Sequence, residues 1–183
     1  ELIQYGISRD INTFYSAVEN KENPLALSAG LSSTNSLNML NTKYIIVDPN
    51  GAPVVNRFAM GNAWLVDSVR FVKNSDEEIA LINSFNQGEV ALVDETYKEF
   101  VDKASYPAVN GSIELVSYKA NELKYTYSSQ SEACALFSEI YYPEGWKAYV
   151  DDVETPHFRA DYLLRAMVLP AGSHEVTFIF DPD

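Results

Sequence analysis

The chain has 183 residues, of which 46% are hydrophobic and 13% are aromatic, a composition typical of globular rather than disordered proteins. Its 13 Lys and Arg residues against 26 Asp and Glu residues give a formal net charge of −13. This charge excludes nucleic-acid binding by phosphate neutralisation and argues against adhesion of the whole chain to an anionic membrane surface. The one cysteine, Cys134, excludes an intrachain disulfide, and we interpret it as a small buried hydrophobe.

The N-terminal part of the chain predicts short helices separated by loop. A helix is predicted over residues 10–19, with Asp10 or Asn12 as its N-cap. Its apolar face is expected to contain Ile11, Phe14, Tyr15 and Val18. Residues 20–35 are rich in Asn, Ser, Ala and Gly and predict mostly loop, whereas residues 36–40 predict a short helical turn.

The following part of the chain has an α+β pattern. A compact apolar run predicts a buried strand over residues 42–47, which ends in a turn at residues 48–51. The capping residue Ser75, followed by acidic residues, predicts a helix over residues 76–85. The other predicted segments are a strand over 63–72, a strand over 89–94, and helical turn plus loop over 95–110.

The C-terminal part alternates with the period of two that half-buried strands show. Type I turn signals, with Pro at the second position and Gly at the fourth, occur at residues 142–145 and 169–172. Asp151-Asp152 occupies the position of a tight hairpin turn, where Asp-Gly would be the stronger signal. The strands are predicted over residues 112–118, 123–127, 133–138, 146–150 and 176–180.

Several short strands separated by turn signals are typical of an antiparallel sandwich or barrel. We therefore predict a mainly β fold with some α structure. In this fold an α+β segment over residues 1–107 precedes an antiparallel, jelly-roll-like β-sandwich over residues 108–183. The chain begins at Glu1 without an initiator Met, and we interpret it as a piece of a longer protein.

Several multi-residue phrases carry a resemblance to a known family. They are, in chain order, LNMLNTKYIIVDPN at 37–50, GNAWLVDSVRFV at 61–72, YPEGWKAYVD at 142–151, RADYLLRA at 159–166 and PAGSH at 170–174. In these phrases the chain resembles the YfhO family of bacterial membrane proteins over residues 36–183. One departure is Asp152, where the family usually has Gly.

The resemblance implies a large polytopic protein similar to multi-span glycosyltransferases that take sugars from lipid-phosphate carriers. The chain resembles the soluble, extracytoplasmic C-terminal region of such proteins. These transferases place their catalytic carboxylates in a membrane-proximal loop toward the N-terminus, so the resemblance assigns no catalytic residue to this chain. It implies that the partner of the chain is the membrane-embedded remainder of the same polypeptide.

A candidate glycan site combines polar and aromatic side chains. His157, Arg159 and Asp161 lie at positions i, i+2 and i+4, which share one face of a strand. Such polar groups can hydrogen-bond sugar hydroxyls while an aromatic ring covers the apolar face of the sugar. The ligand-binding residues predicted in this way are Tyr141, Tyr142, Trp146, Tyr149, His157, Arg159 and Asp161.

A structural interpretation of the same residues is favoured over ligand binding. In that interpretation Arg159 and Asp161 pair across a solvated sheet face, and His157 caps a turn. Trp146 alternates correctly with the apolar residues of its strand, which favours a place in the core.

The sequence predicts no cofactor, no metal and no catalytic residue. His157 and His174 are far apart and lack the spacing of zinc ligands. The acidic pairs Glu77-Glu78 and Asp151-Asp152 are adjacent residues, which cannot span the cleft of a glycosidase.

Three functional hypotheses follow. The first is an extracytoplasmic accessory domain of a membrane glycosyltransferase-like protein, which orients a glycan or cell-envelope acceptor. The second is a non-catalytic structural or interaction domain without a ligand. The third, less favoured, is a free-standing carbohydrate-binding or hydrolytic module.

Overall fold

A computed structural model of the chain describes residues 6–19, 23–107 and 110–182. Backbone contacts divide the chain into two compact units. The first unit is formed by Glu1–Gly61 with Ile79–Phe85, and the second by Asn62–Glu78 with Asn86–Asp183. The boundary expected at residue 107 lies inside the second unit.

Helices dominate the beginning of the described chain and strands dominate the rest. The helices are α1 (Ser8–Glu19), α2 (Pro24–Ser32), α3 (Asn35–Met39), α4 (Ser75–Leu81) and a 3-10 helix (Glu95–Phe100). The first strands are β1 (Tyr44–Ile45), β2 (Val54–Val55), β3 (Ala63–Val66), β4 (Ser68–Val72) and β5 (Val90–Asp94). The later strands are β6 (Ser112–Lys119), β7 (Glu122–Ser129), β8 (Ala133–Ile140), β9 (Trp146–Val150), β10 (Val153–Glu154), β11 (Phe158–Ala160), β12 (Leu164–Leu169) and β13 (Gly172–Phe180).

Helix α1 confirms the predicted helix over residues 10–19, but its cap and its buried face differ from the prediction. The helix begins at Ser8, so Asp10 lies inside it, where its buried carboxylate accepts a hydrogen bond from Leu37 N–H at 2.9 Å. Phe14 is buried as expected, whereas Ile11 and Tyr15 are 41% and 56% exposed. Asp10 can be part of the buried face of the helix because its carboxylate is hydrogen-bonded to the backbone of Leu37.

Helix α2 corrects the prediction that residues 20–35 are mostly loop; residues 20–22 lie outside the described part. The side chain of Asn23 accepts hydrogen bonds from the amides of Leu25 and Ala26, and Pro24 opens the helix. An Asn cap followed by Pro at the first helical position is a helix-start signal. The short helix α3 confirms the helical turn predicted over residues 36–40.

The buried strand predicted over residues 42–47 is wrong in both length and burial. Only Tyr44 and Ile45 form a strand, β1, which pairs with β2 as a two-stranded antiparallel ribbon. Tyr44 is 64% exposed and Ile46 is 72% exposed. A short apolar run does not by itself specify which structure buries it. The turn predicted at residues 48–51 is present and is closed by a 3.0 Å hydrogen bond from Gly51 N–H to the Asp48 carbonyl.

The strand predicted over residues 63–72 is divided into β3 and β4, which belong to different sheets. Strand β4 pairs in parallel with β5, the strand predicted over 89–94, and helix α4 connects the two. The helix begins at Ser75 rather than after it, because the side chain of Asn74 accepts a hydrogen bond from Glu77 N–H at 3.0 Å and acts as the cap.

Two antiparallel sheets of the second unit form the predicted sandwich. One has the strand order β10-β9-β13-β7-β6 and the other has the order β11-β12-β8-β3. A core cluster with buried residues from β6, β7, β8, β9, β12 and β13 holds them together; it is centred on Tyr125, Phe137 and Phe178, whose rings meet edge to face. Fold class is confirmed as mainly β with an α+β beginning.

The outer face of the four-stranded sheet is also buried. The 3-10 helix packs there, with the Phe100 ring stacked on Phe158 at 6.4 Å between centroids. Cys134 lies on β8 and is fully buried, as predicted, and burial raises the pKa of its thiol to about 12. Burial on both faces explains why the apolar run of β12 shows little alternation and was not predicted as a strand.

The hairpin predicted at Asp151-Asp152 is present and connects β9 to β10. Both residues have positive φ, 48° and 65°, as a tight turn requires. The Asp151 carboxylate accepts hydrogen bonds from Glu175 N–H at 2.9 Å and from the His174 ring at 2.6 Å. The turn therefore forms with Asp152 at the position where the resemblance led us to expect Gly.

Candidate functional site

An open pocket of about 460 Å³ lies at one end of the sandwich in the second unit. It combines aromatic rings with polar side chains, and it is lined by Phe100, Tyr141, Pro143, Trp146, Lys147, Ala148, Glu154, Thr155, Pro156 and His157. A second depression, of about 420 Å³, shares Pro143, Trp146 and Lys147 with it. The ring of Trp146 thus contributes to both; we call the first of them the Trp146 pocket.

The turn before β9 places Trp146 at the pocket. Gly145 has φ +92°, and a Cβ at this position would come within 2.7 Å of the Phe180 ring, so the turn requires glycine. Asp181 N–H donates a 2.7 Å hydrogen bond to the Gly145 carbonyl, which holds the turn against the residues that follow β13. The Trp146 ring, partly buried, then lies 5.3 Å from the ring of Phe180. Trp146 therefore combines a contact with the apolar Phe180 ring and a place in the lining of the pocket.

Arg165 supports the tryptophan from inside the sandwich. Its guanidinium carbon lies 4.1 Å from the centroid of the Trp146 ring and 5.2 Å from that of Phe178, both within the range of cation–π contacts. Its Nε donates a 3.1 Å hydrogen bond to the Ile140 carbonyl, and the residue is 3% exposed. Sequence reasoning missed this residue; a single arginine inside the apolar run of β12 is the signal that could have identified it.

His157 is neutral at physiological pH. Burial, and to a smaller extent the positive charge of Arg165, lower its pKa to about 4. The imidazole packs edge-on against Tyr141 and Phe178, at centroid distances of 5.5 and 5.7 Å. Its Nε2 is buried and has no hydrogen-bond partner among the described residues. An uncharged ring in this position can contribute apolar surface and one polar nitrogen to the pocket.

Arg159 belongs to a different environment. Its guanidinium lies 2.7 Å from the Glu78 carboxylate and 3.7 Å from that of Asp94. Glu78 is fully buried and also accepts a 2.6 Å hydrogen bond from Tyr162 N–H. Burial raises the pKa of Glu78, which the nearby guanidinium partly offsets. Arg159 therefore connects β11 to α4 and β5, and it does not line the Trp146 pocket.

Asp161 clamps the backbone of β5. Its amide donates a 2.9 Å hydrogen bond to the Leu92 carbonyl, and its Oδ1 accepts one of 2.8 Å from Leu92 N–H. Strand β11 ends at Ala160 and Asp161 has φ 47°, so the expected row of three residues along one strand face does not form. Burial raises the pKa of the fully buried Asp161 carboxyl well above its usual value. The pairing of Arg159 with Asp161 across a solvated face is likewise absent, because Arg159 pairs with Glu78.

The structure brings three of the predicted ligand-binding residues together in the Trp146 pocket: Tyr141, Trp146 and His157. Tyr142 is 50% exposed on the turn that precedes β9. Tyr149 lies on β9 between the core residues Ala148 and Val150 and therefore points to the opposite side of its sheet. Together with Arg159 and Asp161, these two residues stand apart from the pocket.

No group of His, Cys, Asp and Glu side chains among the described residues has an arrangement that could hold a metal ion. Within the same residues, no helix combines the length and the apolar character needed to cross a bilayer. The Trp146 pocket itself combines aromatic surface with a polar rim.

A pocket that combines aromatic surface with a few polar groups is typical of ligand-binding sites. The family described as "Bacterial membrane protein YfhO" matches residues 73–183. This range contains the whole Trp146 pocket and every strand of the two sheets except β3. The chain belongs to the YfhO family. The phrases at residues 37–50 and 61–72 lie outside the matched range. Comparison with curated proteins gave no match, and comparison with solved structures gave none either.

Proposed function

We propose that this chain is an extracytoplasmic accessory domain of a polytopic, glycosyltransferase-like YfhO membrane protein, and that its Trp146 pocket holds a glycan or cell-envelope acceptor. Membership in a membrane-protein family supports the tethering of the domain to a membrane. The side of the membrane is checked in the intact protein by protease accessibility in cells whose outer layers have been removed. Protection of the domain until the cytoplasmic membrane is broken would contradict an extracytoplasmic location.

The observation that carries the proposal is the half-buried Trp146, whose ring lies against the guanidinium of Arg165 and which lines the pocket. An aromatic ring fixed in this way offers its face to the apolar face of a sugar. Lys147, Thr155 and Glu154 at the rim supply donors and acceptors for hydroxyl groups. The volume of about 460 Å³ lies in the range of small-ligand sites.

The pocket favours binding over chemistry. Among its lining residues Glu154 is the single carboxylate, whereas hydrolysis of a glycosidic bond needs two at a defined separation. Cys134 is unsuited to act as a nucleophile because its thiol is fully buried and has a raised pKa. A transfer reaction would accordingly take place in another part of the polypeptide.

A glycan array probed with the 183-residue chain tests the proposal, and calorimetry with the best glycan quantifies it. Trp146→Ala should reduce affinity at least about tenfold, because stacking of an aromatic ring and its desolvated contacts are lost. The matched control is Tyr118→Ala, which removes a 65% exposed aromatic from β6 and should leave affinity unchanged. Thermal unfolding of both variants separates lost binding from lost folding. Equal affinities for wild type and Trp146→Ala would overturn the assignment of the pocket.

A second candidate function is a non-catalytic structural or interaction domain without a ligand. The observation that favours it is the internal use of Arg159 and Asp161, two of the polar groups expected to reach a sugar. In that case the array returns no glycan, and Trp146→Ala changes only the midpoint of thermal unfolding.

A further inference from the structure

Large apolar side chains are exposed together on the β1–β2 ribbon of the first unit. Tyr44 is 64%, Ile46 72%, Val55 55% and Phe58 40% exposed. Tyr44 and Val55 are directly opposite partners in the register of the ribbon, so their side chains project from the same face. We call these four residues the hairpin surface.

The hairpin surface continues onto helix α2. A shallow depression of about 360 Å³ is lined by Leu27 and Leu31 of the helix, by Val55 of the ribbon, and by Arg57 and Phe58, which follow β2. The helix and the ribbon therefore present one connected apolar area. A two-stranded ribbon is marginally stable in water without further packing, and such an area on a soluble protein marks an interaction site.

Charge is distributed unevenly between the two units. The first unit contains four Lys and Arg residues against five Asp and Glu residues, whereas the second contains nine against 21. Nearly all of the net negative charge is thus carried by the unit that does not contain the hairpin surface. The first unit is close to neutral, so the charge that argues against adhesion of the whole chain is not a property of the unit that contains the hairpin surface.

Two basic residues lie at one end of the ribbon. Lys43 precedes β1 and Arg57 follows β2, and both side chains are exposed. The Lys43 carbonyl accepts a 2.8 Å hydrogen bond from Asn56 N–H, which brings the two basic positions to the same end. The acidic residue of the ribbon, Asp48, lies in the turn at the other end. An apolar surface with basic residues on one side is complementary to the interface of a bilayer that contains anionic lipids.

We propose that the hairpin surface docks on the lipid interface of the membrane in which YfhO proteins reside. Tyr44, Ile46 and Phe58 enter the boundary between headgroups and acyl chains, where tyrosine is favoured. Lys43 and Arg57 meet lipid phosphates. The assignment uses the first unit alone and does not depend on the glycan pocket of the second.

Flotation of the 183-residue chain with lipid vesicles tests the proposal. Vesicles of phosphatidylcholine alone and of phosphatidylcholine mixed with phosphatidylglycerol are used as probes. The double variant Ile46→Asp/Phe58→Asp should lower partitioning at least about tenfold, because two exposed apolar side chains no longer enter the lipid. The matched control is Val116→Asp/Tyr118→Asp, which changes two exposed apolar residues of β6 (56% and 65% exposed) and should retain binding.

The basic pair has a separate readout. Lys43→Gln/Arg57→Gln should weaken binding to the mixed vesicles by about tenfold or more and leave binding to phosphatidylcholine nearly unchanged, since each basic contact contributes about 1 kcal/mol at an anionic surface. Circular dichroism verifies that every variant is folded. Absence of binding to both kinds of vesicle overturns the proposal, as does an equal loss for the β6 control.

Discussion

Arg159 and Arg165 are direct partners in the register of β11 and β12, yet their guanidinium groups make different contacts. Arg159 is 17% exposed at its side chain and is held by the carboxylates of Glu78 and Asp94. Arg165 is almost completely buried against Trp146 and Phe178 and makes its hydrogen bond to a backbone carbonyl. Two residues of the same type, one strand apart, thus have different tasks: the first joins elements of the fold, and the second supports the pocket.

The largest expected effect tests the ion-paired side of this comparison. Arg159→Met should lower the free energy of unfolding by about 3–5 kcal/mol, because the fully buried Glu78 loses its counter-charge. Urea unfolding at pH 7 measures the loss. The double variant Arg159→Met/Glu78→Gln should recover part of it, since the buried negative charge is then also removed. Losses that simply add in the double variant would show that the two side chains do not act as a pair.

A pH effect of intermediate size tests His157, which lies beside Arg165. Its pKa is lowered from 6.5 to about 4 in the folded state, so the unfolded chain takes up the proton first as the pH falls. Stability from this group is therefore present above pH 6.5 and is lost between pH 6.5 and about 4, by about 3 kcal/mol.

The comparison of wild type with His157→Gln isolates this contribution. Buried Glu78 and Asp161 have raised pKa values, so protonation favours their folded forms and opposes the trend as the pH falls. Both proteins contain these carboxyl groups, so their contributions cancel in the difference between the two unfolding free energies. A difference that stays constant from pH 7 to pH 4.5 would refute a lowered pKa for His157.

The smallest expected effect concerns Arg165. Arg165→Met should change the free energy of unfolding by only about 1 kcal/mol, because a flexible apolar side chain fills the site and the cost of burying a charge disappears. Its effect on the pocket should be larger than its effect on stability, since the Trp146 ring loses the group beneath it. Calorimetric affinity for the glycan found on the array is the second measurement. A stability loss as large as that of Arg159→Met would remove the distinction between the two arginines.

The sequence predicts the parts of the fold that local physics determines. Strands β6, β7, β9 and β13 have one face in the core, so polar and apolar residues alternate, and Gly, Pro and Asp mark their ends. Strand β12 is buried on both faces and gives no such alternation. Helix α2 begins with an Asn cap followed by Pro, and a prediction from amino-acid composition does not take this start signal into account. The short ribbon β1–β2 shows the limit of an apolar run, because burial depends on what packs against it.

In the candidate site, too, residues that are close in sequence were predicted and residues from distant elements were not. Tyr141, Trp146 and His157 occur within one stretch of 17 residues and were predicted together, and the structure joins them in one pocket. Arg165 and Phe100 reach the same region from other elements. The partner of Arg159 is Glu78, 81 positions away in the chain. Contacts at such separation depend on the topology of the sheets, which residue spacing does not encode.

The position of Cys134 gives the chain a built-in reporter. Reaction with a thiol reagent requires access and a thiolate, and the folded protein withholds both, because the residue is completely buried on β8 and its pKa is raised to about 12. The rate of modification therefore measures how often the four-stranded sheet opens. For the same reason, a dye or spin label attached to a cysteine introduced on the surface would report from that single location, without removal of the native residue.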